Sequence, residues 1–168
     1  FAKPDDELAK AQRQGSLHRN FQGYTTHAEC DLVAMGVSAI SKVDNAYSQN
    51  DKGIEGYYKQ IEKGHLPIIR GVGSTDEDLI RHQIIQQLSC HFKLNIPAIE
   101  KQFGINFAQH FAVELEALEQ MADDDLLTLD KDNIIVSATG RLLIRNICMV
   151  FDAYQRNQTS KQQFSKAI

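Results

Sequence analysis

No apolar run in this chain approaches the roughly 20 residues that a helix needs to cross a bilayer. The longest apolar stretch with helical spacing, Leu142 to Tyr154, is interrupted by Arg145, Asn146 and Asp152. No secretory leader is visible, because the opening Phe1-Ala2-Lys3-Pro4 has neither a basic n-region nor an apolar h-region. An initiator Met is lacking as well, which reads as a chain that starts in the middle of a longer one. The expectation is a cytoplasmic protein that engages no membrane.

Cysteine is scarce. Cys30, Cys90 and Cys148 are scattered, and an odd number with no close pair fits reduced thiols rather than a disulfide framework. Their spacing matches neither a zinc site nor a Cys-x-x-x-Cys-x-x-Cys loop, so all three are expected to be structural, as small buried hydrophobes. A surplus of positive charge is missing too: 18 basic residues face 22 acidic ones, for a net charge of -4. That balance argues against a general binder of nucleic acid or membrane surfaces. The chain has no His-Glu-x-x-His, no Gly-x-Ser-x-Gly, no phosphate-binding loop, no repeat and no low-complexity tract. His82 and His91 lie nine apart, about half a turn out of phase on a helix, which is poor for shared metal ligation.

What remains is an ordinary globular composition, 42% hydrophobic and 24% charged over 168 residues. A chain of that length buries a core without metals or disulfides. Two regions differ in character. Residues 1 to about 73 hold glycines, polar residues and short apolar runs, whereas 74 to 168 carry long helical periodicity. In the first, Pro4-Asp5-Asp6-Glu7 starts a helix that runs to Gln14 and stops at Gly15. Phe21 to Thr25 reads as a short strand. Asp31 to Val43 reads as a buried strand or strand–loop, and Gly53 to Lys63 as a helix closed by Gly64. Gly71-Val72-Gly73 reads as a hinge or turn.

The second region is better marked. Thr75 caps a helix in a capping-box pattern with Asp78, and Ile80, Ile84, Leu88 and Phe92 form its apolar face. Pro97 to Phe103 is a second helix ending at Gly104. Asn106 caps a third, whose core stripe is Phe107, Phe111, Leu115, Leu118 and Ala122. Leu126 to Leu129 and Ile134 to Val136 make a hairpin, and a fourth helix from about Thr139 aligns Leu143, Ile147, Val150 and Tyr154. This order suggests a winged-helix-like module, and such a module suggests DNA. Yet the third helix presents Glu114, Glu116 and Glu119 on its open face, followed by Asp123, Asp124 and Asp125. Phosphates would be repelled from the helix that should enter the groove, so no nucleic-acid partner is expected. The triple Asp reads as a solvated acidic end or a hard-cation site. Arg141 and Arg145, at helical spacing, either hold carboxylates or pair with neighbouring acids. No self-sufficient active site emerges from the residues themselves.

Three segments are long and odd enough in composition to carry a resemblance. They are Leu17-His18-Arg19-Asn20-Phe21-Gln22-Gly23-Tyr24-Thr25-Thr26, the run Asp31-Leu32 with Met35-Gly36-Val37-Ser38-Ala39-Ile40-Ser41, and Gly140-Arg141-Leu142-Leu143-Ile144-Arg145-Asn146-Ile147-Cys148-Met149. The chain resembles the C-terminal part of oxygen-independent coproporphyrinogen III oxidase, a radical SAM enzyme, from Phe1-Ala2-Lys3-Pro4-Asp5-Asp6-Glu7-Leu8-Ala9 to Gln163-Phe164-Ser165. The resemblance implies an α+β fold, mostly α: residues 1–73 as the last strands and helix of a radical SAM barrel with a linker, and 74–168 as a helical, winged-helix-like, substrate-covering C-terminal domain. It implies S-adenosyl-L-methionine and a [4Fe–4S] cluster in the parent enzyme, with the substrate coproporphyrinogen III, an electron donor and a monomeric parent. In that family a 5′-deoxyadenosyl radical abstracts hydrogen from two propionates, which lose CO₂ and become vinyl groups in protoporphyrinogen IX. Gln22 and Ile40 match family contacts to S-adenosyl-L-methionine, and Arg19 is a candidate for a propionate carboxylate. No catalytic or metal-ligating residue falls in this chain. The cluster cysteines and glycine-rich SAM strands are absent, so the fragment is expected to bind neither cofactor stably and to be inactive alone. Two alternatives stand beside this: a free-standing winged-helix interaction module, and a related radical SAM haem chaperone.

Overall fold

The computed structural model describes residues 3–28 and 30–156, the side chains of 155 and 156 excepted. The resemblance carried by Phe1-Ala2 and by Gln163-Phe164-Ser165 lies outside the described residues. The architecture is α+β and about half helical, and the chain divides into two compact units, Phe1–Leu79 and Ile80–Ile168.

The first unit begins as its sequence predicts. Asp6 accepts a hydrogen bond from the Leu8 amide and caps α1 (Glu7–Gln14), which ends where Gly15 turns left-handed. The expected strand at Phe21–Thr25 is instead a hairpin of β1 (His18–Asn20) and β2 (Gly23–Thr25), with Phe21 and Gln22 as its two-residue turn. The signal for it is Asn20, whose Oδ1 accepts from the amides of Gln22 and Gly23, at 2.8 and 3.2 Å. That side chain closes the turn locally.

A three-stranded antiparallel sheet follows, ordered β3 (Ile40–Val43), β4 (Ala46–Asn50), β5 (Ile68–Gly73), with α2 (Ile54–Glu62) between β4 and β5. Two expectations are corrected here. Asp31 to Val43 is not a buried strand. Only Ile40–Val43 is a strand element, Leu32 makes an isolated bridge to Lys42, and Val33 and Met35 are 74% and 89% exposed. The loop is held by polar groups rather than by its apolar side chains. Buried Asn50 donates to the carbonyls of Ala34 and Gly36, and the Gly36 amide donates to the Tyr57 hydroxyl. Gly71-Val72-Gly73 is likewise no hinge but the end of β5, and Gly71 allows the close approach of the neighbouring backbone: an added Cβ would meet the Tyr47 carbonyl oxygen at 3.0 Å.

The second unit is built on α3 (Asp76–His91), whose start is a reciprocal cap. Thr75 Oγ1 accepts from the Asp78 amide and Asp78 Oδ2 accepts from the Thr75 amide. Ile80, Ile84 and Leu88 are buried as one face. Phe92, at φ 59°, ends the helix, and β6 (Lys93–Asn95) follows, an element too short to leave a periodic signal. Asn95 caps α4 (Ile96–Phe103), and Asn106 caps α5 (Phe107–His110).

The third helix is not continuous. It breaks at Phe111, which closes α5 and opens α6 (Ala112–Asp123) at φ −112°, ψ 31°. The hairpin β7 (Leu127–Leu129) and β8 (Asn133–Val136) gains β6 as a third strand, in the order β6-β8-β7. The expected fourth helix is three short ones, α7 (Ala138–Leu142), α8 (Ile144–Val150) and α9 (Ala153–Arg156). Ile147 is buried and Val150 packs on the core, but Tyr154 is 60% exposed, because the breaks reset the phase that would have aligned it. Gly140 explains the tight start: its added Cβ would collide with the Leu126 carbonyl oxygen, so the residue just before β7 approaches α7 only over a glycine.

Glu114 departs most from expectation. Predicted on the open face, it is 3% exposed and pairs with Arg81 at 2.8 Å. It stands three residues after Phe111 and seven after Phe107, which places it on the core stripe by helical spacing.

Candidate functional site

The face of the β3-β4-β5 sheet is set by its register. Ile40, Gln49 and Arg70 are cross-strand neighbours in one row, and Lys42, Tyr47 and Val72 form a row two residues along. Alternation along each strand puts both rows on the same face and sends Ser41, Ser48 and Gly71 to the other. The β1–β2 turn supplies a further wall, because Phe21 meets Tyr47 edge-on with ring centroids 5.7 Å apart. Between these groups lies an open cleft of about 410 Å³ lined by Phe21, Ile40, Tyr47, Gln49, Arg70 and Val72 among others. Its lining is mainly apolar with a few convergent polar groups, the usual make-up of a small-molecule site.

The polar groups are ordered. Gln49 Nε2 donates to the Ser38 carbonyl at 3.0 Å, which turns Gln49 Oε1 toward Arg70, and Arg70 Nε donates to that oxygen at 2.8 Å. Among the described residues no carboxylate pairs with Arg70. Burial pushes the Tyr47 phenol above its ordinary value, so it stays a neutral donor at physiological pH.

Of the residues singled out from the sequence, Ile40 lines the cleft and Gln22 adjoins it through Phe21. The Gln22 side chain is exposed at the turn, with its backbone amide donating to Asn20. Arg19 is exposed on β1, its guanidinium 5.7 Å from the ring of its cross-strand partner Tyr24, and is not among the residues lining the cleft. Arg141 lies over the Phe92 ring at 4.7 Å, which is a cation–π contact rather than a carboxylate site. Arg70, Gln49 and Tyr47 were missed. The available signal was Arg70 as the one charge in Ile68-Ile69-Arg70-Gly71-Val72-Gly73, a run otherwise free of polar side chains.

An iron–sulfur cluster does not fit this chain's residues. Cys30 is exposed, Cys90 buried and Cys148 half-buried, and among the described residues no group of three or more His, Cys, Asp or Glu is placed to hold a metal. Cys90 Sγ lies 3.5 Å from Gln86 Oε1 and Cys148 Sγ 3.9 Å from the Ile85 carbonyl, as packed thiols do. None of the described helices is long and apolar enough to cross a membrane.

Comparison with known proteins adds the lineage. Residues 74–143 match the HemN C-terminal domain family. Over all 168 residues the chain is 51% identical to the oxygen-independent coproporphyrinogen III oxidase of Salmonella typhimurium and 49% identical to that of Pseudomonas aeruginosa. Along its whole length the chain is thus similar to part of these oxygen-independent coproporphyrinogen III oxidases. It spans 37% of the Salmonella relative, 36% of the Pseudomonas one and 52% of that from Thermostichus vulcanus, to which it is 50% identical. Among solved structures, coproporphyrinogen III oxidase (HemN) from Escherichia coli, described as a radical SAM enzyme, superposes with a TM-score of 0.88 at 51% identity. That match covers 92% of this chain and 36% of the other. The resemblance read from the three sequence segments is therefore borne out as to the enzymes it named and as to a C-terminal portion.

Proposed function

We propose that this chain is the C-terminal part of an enzyme that oxidatively decarboxylates two propionates of coproporphyrinogen III to vinyl groups, giving protoporphyrinogen IX in haem synthesis. The observation that carries this is similarity along every residue of the chain to oxidases of that name, at 51% identity. S-adenosyl-L-methionine, when bound, supplies the radical that abstracts hydrogen. The cluster that reduces it is held by residues outside this chain, and the isolated chain is inactive.

Within the reading, residues 1–73 close the barrel and 74–168 form a winged-helix-like domain over the substrate. What supports the first is the β3-β4-β5 sheet, which leaves Ile68, Ile69 and Val72 exposed, as a piece that packs on further structure would. What supports the second is the succession of helices followed by the β7–β8 hairpin. Gln22 and Ile40 face S-adenosyl-L-methionine, consistent with the apolar wall that Ile40 and Phe21 offer an adenosyl group, and Arg19 holds a propionate. The complete enzyme works as a cytoplasmic monomer with a separate electron donor. A free-standing nucleic-acid module is disfavoured by exposed Glu116, Glu119 and Asp123 on α6 and Asp124 at its C-cap.

The test is anaerobic reconstitution. The complete protein containing these residues takes up iron and sulfide, shows [4Fe–4S] absorption, and with S-adenosyl-L-methionine, dithionite, an electron acceptor and coproporphyrinogen III yields protoporphyrinogen IX. A complete, cluster-loaded protein that leaves the propionates intact would sink the proposal, as would a stoichiometric cluster on the 168-residue chain alone.

A further inference from the structure

Among the described residues, Arg70 is a cation without a counter-ion at an apolar cleft. Its Nε donates to Gln49, and Gln49 in turn donates to the Ser38 carbonyl, so this exposed pair of hydrogen bonds orients the guanidinium. With Nε engaged, the two terminal nitrogens are left as a planar pair of donors. Among the described residues nothing anionic meets them. A fork of that geometry matches a carboxylate bidentately, and a pre-oriented fork loses less freedom on binding than a free arginine does. The rest of the wall, Phe21, Ile40, Tyr47 and Val72, offers apolar and aromatic surface to whatever carries the anion.

We propose that Arg70 anchors a carboxylate on the ligand of this cleft, with Gln49 as its positioning residue and the apolar wall receiving the ligand's flat body. The inference rests on the family reading above and deepens it by assigning a contact to a residue outside the three recognised segments. Two ligands of the proposed reaction bring a carboxylate on a flat body. One is the tetrapyrrole through a propionate, and the other is S-adenosyl-L-methionine through its amino-acid end.

The experiment uses the complete, cluster-loaded protein and its Arg70→Gln and Arg70→Lys variants. Binding is measured for coproporphyrin III against its tetramethyl ester, and for S-adenosyl-L-methionine against its decarboxylated form. Arg70 is exposed, so neither variant disturbs a core, and the carboxylate-free ligand of each pair serves as an internal check on the fold. In one pair Arg70→Gln weakens the acid by about 10- to 100-fold, the range for one charged hydrogen-bonded contact, while its carboxylate-free partner is not weakened. Arg70→Lys falls between, keeping the charge and losing the fork. Loss confined to coproporphyrin III assigns the propionate, and loss confined to S-adenosyl-L-methionine assigns the amino-acid carboxylate. Wild-type affinity for both acids in Arg70→Gln overturns the inference, as does equal weakening of acid and carboxylate-free partner. If the wild-type protein binds neither acid, the family reading fails and takes this inference with it. If wild type binds both and the variant does too, only the role of Arg70 falls.

Discussion

Arg81 and Glu114 form a largely buried ion pair in the second unit. Their side chains are 14% and 3% exposed, and Arg81 also donates to the Phe151 carbonyl at 3.1 Å and lies 5.2 Å from the centre of the Phe111 ring. A charge so placed is stabilised only by its partners, and removing one partner strands the other in a low-dielectric setting. Arg81→Ala is expected to cost about 3–5 kcal/mol in denaturant unfolding, because Glu114 stays buried and loses its guanidinium partner. The double change Arg81→Met with Glu114→Met recovers much of that loss. A double variant as unstable as the single one would mean that the guanidinium matters through packing on Phe111 rather than through charge. Glu114 was legible in principle, since it sits on the spacing of Phe107 and Phe111, but an acidic residue on an apolar stripe is read as solvent-facing unless its distant partner is known. Arg81 lies 33 residues away, and nothing local announces it.

At the scale of elements, what was legible was whatever is decided by neighbours in sequence. The caps at Asp6, Thr75, Asn95 and Asn106 are local hydrogen bonds, and the helix starts they set are legible, although the helix that Asn106 opens breaks at Phe111 rather than running on. The strands β5 and β6 were not, because their pairing depends on residues far along the chain and three to six residues carry little periodicity. The cleft suffered the same fate: Ile40 was named through family likeness, whereas Arg70 and Gln49 become a site only once β4 and β5 are paired. The β7–β8 turn gives a pH test of a local element. Amides of Asp132 and Asn133 donate to Asp130 Oδ1, both at 2.7 Å, and hold its carboxyl below the ordinary carboxylate range. Its folded value is thus lower than its unfolded one. The stabilisation is complete above the unfolded value of about 3.9 and is lost as pH falls through the folded value. Asp130→Asn therefore lowers the melting midpoint near neutrality, and the gap to wild type closes in acid. A gap that stays constant from about pH 6 to about pH 2 would show that the carboxylate charge is not what holds the turn.

Helix α6 offers a graded comparison in the same terms. Leu118 is fully buried, whereas Leu115 is only partly buried against the same core. Truncation to Ala costs about 2–5 kcal/mol at buried leucines, scaling with the cavity left behind. Leu118→Ala belongs at the upper end and Leu115→Ala at about 2 kcal/mol, measured by urea unfolding of the chain. Equal losses would place Leu115 in the core, where the helical stripe alone had put it, and would contradict its partial exposure.

At the scale of the whole molecule, the two units differ in how much they bury. The second encloses Ile84, Leu88, Ile99, Phe107, Phe111, Leu118, Ile134 and Phe151 in one cluster. In the first, among the described residues, the buried hydrophobics are Ala11 and Leu17, α2 buries nothing, and β5 is exposed along its length. Hydrogen bonds without apolar cover open at low free energy, so the first unit sits near the low end of the local-opening scale and the second near the global limit. In hydrogen exchange on the 168-residue chain, amides of β8 and α3 are expected to outlast those of β4 and β5 by at least about 100-fold. On the reading of this chain as the closing part of a larger oxidase, the contrast has a cause: the apolar face of β5 is meant to meet further structure. The same β4 and β5 amides should then slow markedly in the complete protein, while β8 changes little. Uniform protection in the isolated chain would show that the first unit stands by itself, and that its exposed isoleucines need no partner.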